Sequence, residues 1–185
     1  VVVTNSCGST TSSGAALTVT SAPSITVQPV GATKCVGTSF SLIPTVTGAQ
    51  SYQWKKENIN YSTSSTISIG SVQSSDAGSY SLIATNGCGS VTSSSAVLVT
   101  KFAPTITSIG SGSSVCSGTN TSLTAIVSGN GDNVLSYTWA KDGVGLGSSA
   151  SNLLSIANFQ SANAATYSLS VSNSCGSTTS LSGQN

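Results

Sequence analysis

The chain of 185 residues contains no histidine, no methionine and no arginine. Without histidine, Ser-His-Asp and Cys-His catalysis are excluded, as are zinc sites that use imidazole. Without arginine there is no bidentate fork for phosphate or guanine, and a formal net charge of +1 leaves no basic footprint. Nucleic acid is therefore not expected as a partner. Charge of either sign is scarce: Lys34, Lys55, Lys56, Lys101 and Lys141 stand against Glu57, Asp76, Asp132 and Asp142. The four acidic residues are scattered and form no Asp-rich calcium loop. Only Glu57 and Asp76 are candidates for the facing carboxylates of a glycosidase. No enzymatic activity, cofactor or metal is expected. No apolar run approaches the roughly 18 residues a membrane helix needs, so no membrane span is expected in this segment. No signal peptide is visible, and the start at Val1 is read as a processed chain or an excerpt of a longer one.

Hydroxyls are abundant instead. Sixty-six residues are Ser or Thr, and solubility must rest on them. Such a composition could suggest disorder, but Val, Ile, Leu and Tyr recur with period two between turn signals, which points to a packed β core. One hairpin sequence is written three times: Thr4-Asn5-Ser6-Cys7-Gly8-Ser9, Thr85-Asn86-Gly87-Cys88-Gly89-Ser90 and Ser172-Asn173-Ser174-Cys175-Gly176-Ser177. The intervals of 81 and 87 residues are too long for a solenoid turn and suit a small β-sandwich. The five cysteines (Cys7, Cys35, Cys88, Cys116 and Cys175) all sit in Gly-rich turns without metal spacing. That favours disulfides and an oxidising, extracellular or cell-surface setting over small buried thiols.

The repeat divides the chain into a partial unit at residues 1–20, a full unit at 22–101 and a second at 103–185. Ala22-Pro23 and Ala103-Pro104 open the two full units, where Pro suits an edge strand. Cys35-Val36-Gly37 matches Cys116-Ser117-Gly118. Ser51-Tyr52-Gln53-Trp54 matches Ser136-Tyr137-Thr138-Trp139 after a four-residue insertion at Asn130 to Asn133. Tyr80-Ser81-Leu82 matches Tyr167-Ser168-Leu169 after two further residues near Gly143 to Gly147. Inward positions on successive strands are Phe40, Leu42 and Val46; Tyr52 and Trp54; Ile67, Ile69 and Val72; and Tyr80, Leu82 and Ala84. A final strand ends Ala96-Val97-Leu98-Val99, and Leu123, Ala125 and Val127 are the second unit's counterparts of the first set. No segment has helical periodicity. Trp54 and Trp139 are read as core residues rather than a sugar platform; Tyr61 is the aromatic expected to be exposed.

A Trp on the third strand followed by Asp76-Ala77-Gly78-Ser79-Tyr80 resembles the immunoglobulin fold, in which Asp-x-Gly-x-Tyr forms the tyrosine corner. The resemblance implies an all-β chain of tandem immunoglobulin-like Greek-key sandwiches arranged end to end. It also implies structural roles for Asp76, Tyr80 and Tyr167, with Glu57 in a turn. The second unit reads Asn163-Ala164-Ala165-Thr166-Tyr167: it lacks the Asp and Gly of the motif but keeps Tyr167, which leaves the corner's side-chain hydrogen bond open there. The inter-sheet cysteines of antibody domains are absent, with Pro44 and Leu82, and Ala125 and Leu169, in their positions. The pattern is similar to the immunoglobulin-like or PKD-like repeats of large secreted bacterial surface proteins, which implies an adhesin, stalk or fibre built from many such units.

On that fold, Cys35 precedes the second strand and Cys88 follows the sixth, so they lie at opposite poles. A strand of about seven residues spans roughly 23 Å, whereas a disulfide needs Cα atoms within about 7 Å. End-to-end stacking instead brings Cys35 to Cys175 between the two units, with Cys7, Cys88 and Cys116 directed to neighbouring units or chains. Reduced thiols, or different strand ends with bridges inside each unit, are the alternatives. At the margins, Ala15 to Val19 is expected to form a seventh strand of the partial unit, while Gly183-Gln184-Asn185 replaces the apolar half of the last strand. An excerpt, or strand exchange in a head-to-tail homo-oligomer or filament, would account for both. Asn60-Tyr61-Ser62 and Asn120-Thr121-Ser122 fit the N-glycosylation pattern, and O-linked sugars are compatible with the hydroxyl-rich surface. A surface glycan or protein ligand is the alternative partner, with the segment from Gly129 to Leu135 as the nearest candidate contact.

Overall fold

A computed structural model describes residues 1–110, 114–132, 135–149 and 151–180. Asn133 of the insertion and the closing Gly183-Gln184-Asn185 lie outside the described residues. The amino-terminal hairpin is β1 (Val2–Asn5) and β2 (Gly8–Thr11). The first sandwich runs through β3 (Ser24–Val27), β4 (Ala32–Cys35), β5 (Phe40–Leu42), β6 (Thr45–Thr47), β7 (Ser51–Lys56), β8 (Ile59–Ser62), β9 (Ile67–Ile69), β10 (Gly78–Asn86), β11 (Gly89–Thr92) and β12 (Ala96–Lys101). The second contains β13 (Thr105–Ile109), β14 (Thr121–Ser128), β15 (Ser136–Lys141), β16 (Val144–Ser149), β17 (Leu153–Ile156), β18 (Tyr167–Asn173) and β19 (Gly176–Thr179). Among the described residues there is no α-helix, only single 3-10 turns at Ser74–Asp76 and Ser161–Asn163.

In the first sandwich one sheet has the order β4-β12-β10-β7-β8, with β11 also on β10; β3 with β6 and β5 with β9 form the opposing layer. Between them lie Phe40, Leu42, Trp54, Ile67, Val72, Tyr80, Leu82, Ala96 and Leu98. The first edge strand divides between the two sheets. It pairs as β3 with β6, crosses at Gln28–Gly31, and returns as β4 parallel to β12. Gly31 permits that crossing, because a Cβ there would fall 2.2 Å from the Val97 carbonyl oxygen. The second strand is also split. Pro44 has no N–H to donate, and the ladder breaks between β5 and β6. Ala125 occupies the matching place in the second sandwich, and β14 runs unbroken for eight residues.

The second sandwich places β16-β15-β18-β19 against β13-β14-β17. Ala125, Trp139, Leu169 and Val171 are buried, with Leu123, Leu154 and other half-buried side chains around them. The extra residues near Gly143 to Gly147 lengthen a strand rather than a loop: β16 has six residues where β8 has four.

One expectation is corrected. Residues 12–23 form no strand, so Ala15 to Val19 lacks the ladder expected of it; Leu17 is 93% exposed and Val19 90%. A lone strand has no partner for its N–H and C=O groups and stays in solvent. The tyrosine corner, by contrast, is kept in both sandwiches. Tyr80 donates its hydroxyl to the backbone carbonyl of Asp76 at 2.6 Å, and Tyr167 does the same to Asn163 at 2.9 Å. The acceptor is main chain, so the loss of Asp does not remove it. Asn163 Oδ1 also replaces Asp76 Oδ2 in accepting the Gln N–H that opens the 3-10 turn.

Candidate functional site

The repeated Asn-x-Cys-Gly sequence builds the same turn three times. Asn5, Asn86 and Asn173 each accept, through Oδ1, the backbone N–H of the cysteine two residues on, at 2.8 Å in every case. This side-chain turn suits asparagine. The glycine that follows each cysteine has φ between 143° and 148°, which disfavours any side chain. The hairpin then closes on a backbone bond from Ser12, Ser93 or Ser180 to the carbonyl of Val1, Leu82 or Leu169, 2.8 Å each time. The cysteine is thereby held at the tip, exposed in the case of Cys7 and Cys88.

Two of these asparagines, Asn86 and Asn173, also bind the chain entering the sandwich. Asn86 Nδ2 donates to the carbonyls of Ser21 (2.7 Å) and Gly48 (2.8 Å). Asn173 Nδ2 donates to those of Phe102 (2.8 Å) and Gly129 (3.1 Å). One amide therefore ties the hairpin, the incoming linker and the turn after the second strand together. In the sequence these asparagines mark the repeat, and their threefold recurrence with the cysteines is the one signal of this role.

Cys35 ends β4, directly opposite Lys101 at the end of β12 in the parallel ladder. There it forms a disulfide with Cys175 of the second sandwich, with Cα atoms 5.3 Å apart and 140 residues between them in sequence. Cys88 lies past the far end of the nine-residue β10, about 30 Å of strand away. Thr100 and Lys101 are part of β12; Phe102, Ala103 and Pro104 alone separate it from β13. The insertion folds over this short crossing. Phe102 N–H donates to the Asn130 carbonyl at 3.3 Å, and Asn130 Nδ2 donates to that of Ala103 at 2.9 Å. Asp132, buried, accepts the backbone N–H of Ser174 at 3.1 Å and its hydroxyl, and lies 3.7 Å from Lys101 Nζ.

Cys7, Cys88 and Cys116 are exposed and unpaired. The surroundings of Cys116 copy those of Cys35: Thr119 Oγ1 donates to the Cys116 carbonyl and Thr38 Oγ1 to that of Cys35, both at 2.7 Å. Cys88 Sγ lies 3.3 Å from the Thr20 carbonyl and 3.1 Å from its hydroxyl.

The remaining candidates have structural surroundings. Each acidic residue accepts a backbone N–H: Glu57 from Ser79, Asp76 from Gln73, Asp132 from Ser174 and Asp142 from Thr166. Glu57 and Asp76 hold different turns and do not form a catalytic pair. Trp54 and Trp139 are buried in the two cores, and neither indole Nε1 has a hydrogen-bond partner among the described residues. Tyr61 is 43% exposed and packs edge-on against Tyr80 at 5.4 Å. Burial pushes the Tyr80 hydroxyl far above the usual phenol range, aided by Tyr61 and Asp76; burial and then Asp142 push Tyr167 the same way. Among the described residues no three His, Cys, Asp or Glu side chains gather as a metal site, and no helix is long and apolar enough to cross a membrane.

These features define tandem immunoglobulin-like domains. Residues 22–86 match the family model of an immunoglobulin domain. Among solved structures, the I-band fragment I67-I69 from titin is 20% identical with a TM-score of 0.69, over 88% of this chain and 64% of that one. Rst D1-D2 is 16% identical at TM-score 0.62, over 86% of this chain and 96% of that one. The N-terminal eight Ig domains of Down Syndrome Cell Adhesion Molecule are 19% identical at TM-score 0.63, over 98% of this chain and 30% of that one. At such identities the likeness concerns the fold. No curated protein sequence matches the chain.

Proposed function

We propose that the chain is a non-catalytic, load-bearing segment of an extracellular bacterial surface fibre, stalk or adhesin, built of repeated units whose joints are closed by disulfides. The observation that supports this reading is the Cys35–Cys175 bond, which links the carboxyl-terminal pole of one sandwich to the hairpin of the next. It turns a three-residue crossing into a double attachment and places residues 36–174 inside a covalent loop. Force applied to the chain ends then bypasses both cores. The placing of every acidic side chain on a backbone N–H leaves none of the four committed to chemistry.

Force spectroscopy on the oxidised and reduced chain tests the reading. Reduction should release on the order of 480 Å of additional contour length, about 3.5 Å for each residue in the loop. Equal extension in both states would refute the load-bearing role. A second reading, an adhesive or carbohydrate-binding module, is favoured by one feature: an open groove beside the joint lined by Lys101, Asp132, Leu135, Asn173 and Ser174. Specific binding to a glycan array that Leu135→Ala abolishes, with native material appearing as isolated particles in electron micrographs, would support that reading instead.

A further inference from the structure

Resting on the disulfide joint proposed above, we infer that Lys101, Asp132 and Ser174 are positioning residues of a redox latch: they dock the two sandwiches with Cys35 and Cys175 side by side, so that the bond closes and reopens with the joint in place.

The three residues complete a circuit between the two sulfurs. Cys35 stands opposite Lys101 across the parallel β4–β12 ladder, and the N–H of Val36 donates to the Lys101 carbonyl at 2.9 Å. Lys101 crosses from the first sandwich to the second, placing Nζ 3.7 Å from Asp132. Asp132 accepts the backbone N–H of Ser174 at 3.1 Å and also its hydroxyl. Ser174 precedes Cys175, and its carbonyl oxygen lies 3.8 Å from Cys35 Sγ. None of these links passes through the disulfide, so none is cut when it is reduced.

Burial fixes the centre of the circuit. The Asp132 side chain is 7% exposed and that of Lys101 29%. A carboxylate so enclosed needs partners that offset its lost hydration. Asp132 has them on both sides of the joint, and hydrogen bonds to a charged acceptor are among the stronger ones. Two neutral bonds run in parallel: Phe102 N–H donates to the Asn130 carbonyl, and Asn173 Nδ2 to that of Phe102.

The repeat supplies the contrast. By the spacing of the hairpins, Thr20 stands where Lys101 does and Gly87 where Ser174 does, and the insertion that carries Asp132 has no counterpart in the first unit. The charged circuit is therefore absent at the hairpin of Cys88, which lies 3.1 Å from the Thr20 hydroxyl and is unpaired.

Holding two thiols together raises their effective concentration towards each other and so favours the bond. Closure is thiol–disulfide exchange with a low-molecular-weight disulfide such as oxidised glutathione. One cysteine thiolate attacks it and releases a first glutathione thiolate; the second cysteine then displaces the other. The two electrons leave with glutathione as two thiols while the Cys35–Cys175 bond forms, and opening is the reverse with reduced glutathione.

The test equilibrates the full chain in glutathione buffers and follows the Cys35–Cys175 fraction by peptide mapping. Asp132→Ala and Lys101→Gln should each lower the equilibrium constant for closure roughly tenfold, about 30 mV towards easier reduction. Asp132→Glu should recover part of the loss. Asp142→Ala removes a carboxylate that holds the Thr166 N–H beyond the other end of β15, and should leave the equilibrium unchanged. In the reduced wild-type chain the N–H groups of Phe102 and Ser174 should remain protected from hydrogen exchange. An unshifted equilibrium in Asp132→Ala or Lys101→Gln, an equal shift in Asp142→Ala, or loss of that protection would each overturn the inference. A chain that never yields the Cys35–Cys175 peptide defeats the joint reading itself. One that yields it with the same potential in every variant defeats the latch alone.

Discussion

The two sandwiches follow one strand plan and enclose very different amounts of it. Among the described residues the first buries nine core side chains and the second four. Both keep the tryptophan, the tyrosine corner and the Asn-Cys-Gly hairpin. What differs is the perimeter. Buried Phe40 is replaced by half-buried Thr121, and the side chains around Trp139 are half-buried where those around Trp54 are buried. In the second sandwich the compensation is at the joint, where Asn130, Asp132, Lys101 and the disulfide fasten it to its neighbour. The comparison suggests that the first sandwich is held by its own core and the second in large part by what it is attached to.

The largest test of that contrast is the pair Trp54→Ala and Trp139→Ala. Truncating a fully enclosed tryptophan costs about 3–5 kcal/mol. Trp54 should reach that range, and Trp139, among half-exposed neighbours, should fall below it. Urea unfolding followed by the fluorescence of the remaining tryptophan measures each; equal losses would break the comparison. Next is Cys35→Ser. Removing a native disulfide typically costs about 2–5 kcal/mol, mainly by freeing the unfolded chain. The second sandwich should lose most, so a single oxidised transition should split into two, with Trp139 reporting the earlier one.

Asn173→Asp sharpens the role of the joint. It retains the oxygen that closes the hairpin on the Cys175 N–H but removes both donors to Phe102 and Gly129. A loss of about 1–3 kcal/mol is expected, as two carbonyls face a carboxylate in place of an amide. Asn86→Asp should loosen residues 20–23 with less effect on global stability, because that linker is followed by the better enclosed sandwich. Hydrogen exchange of the two linkers distinguishes the outcomes.

Much of this was legible in the sequence because it is written as spacing. The three hairpins, the period-two strands and the tryptophans fix an immunoglobulin-like plan without reference to contacts. The positions of Cys35 and Cys175 relative to strand ends likewise indicated which thiols could meet. The parts that were not legible depend on main-chain geometry. The crossing of β3 into β4 rests on Gly31 lying against Val97, and no periodicity encodes that. The Asn163 corner does not follow from the motif, which points to a side-chain acceptor, whereas the hydroxyl uses a backbone carbonyl. The bracing of the joint by Asn130 and Asp132 was hidden in an insertion that looked like an ordinary turn, since its partners are residues nearly 30 and more than 40 positions away.

The smallest test concerns the corners themselves. Tyr80→Phe and Tyr167→Phe each delete one hydrogen bond to a backbone carbonyl, and each should cost about 1 kcal/mol. Their pH dependence has a definite sign. Both hydroxyls are pushed above the ordinary phenol value of 10.0 by burial. In the unfolded chain they ionise near that value, so the folded state holds the proton more tightly. The stabilisation tied to this difference is fully present below pH 10 and is lost as pH rises towards the folded-state values. Alkaline unfolding followed at the phenolate absorbance should therefore begin above pH 10, and Tyr80→Phe should flatten the pH dependence of the first sandwich. A corner that ionised freely without loss of structure would show that the hydroxyl, and with it the turn it closes, is not coupled to the core.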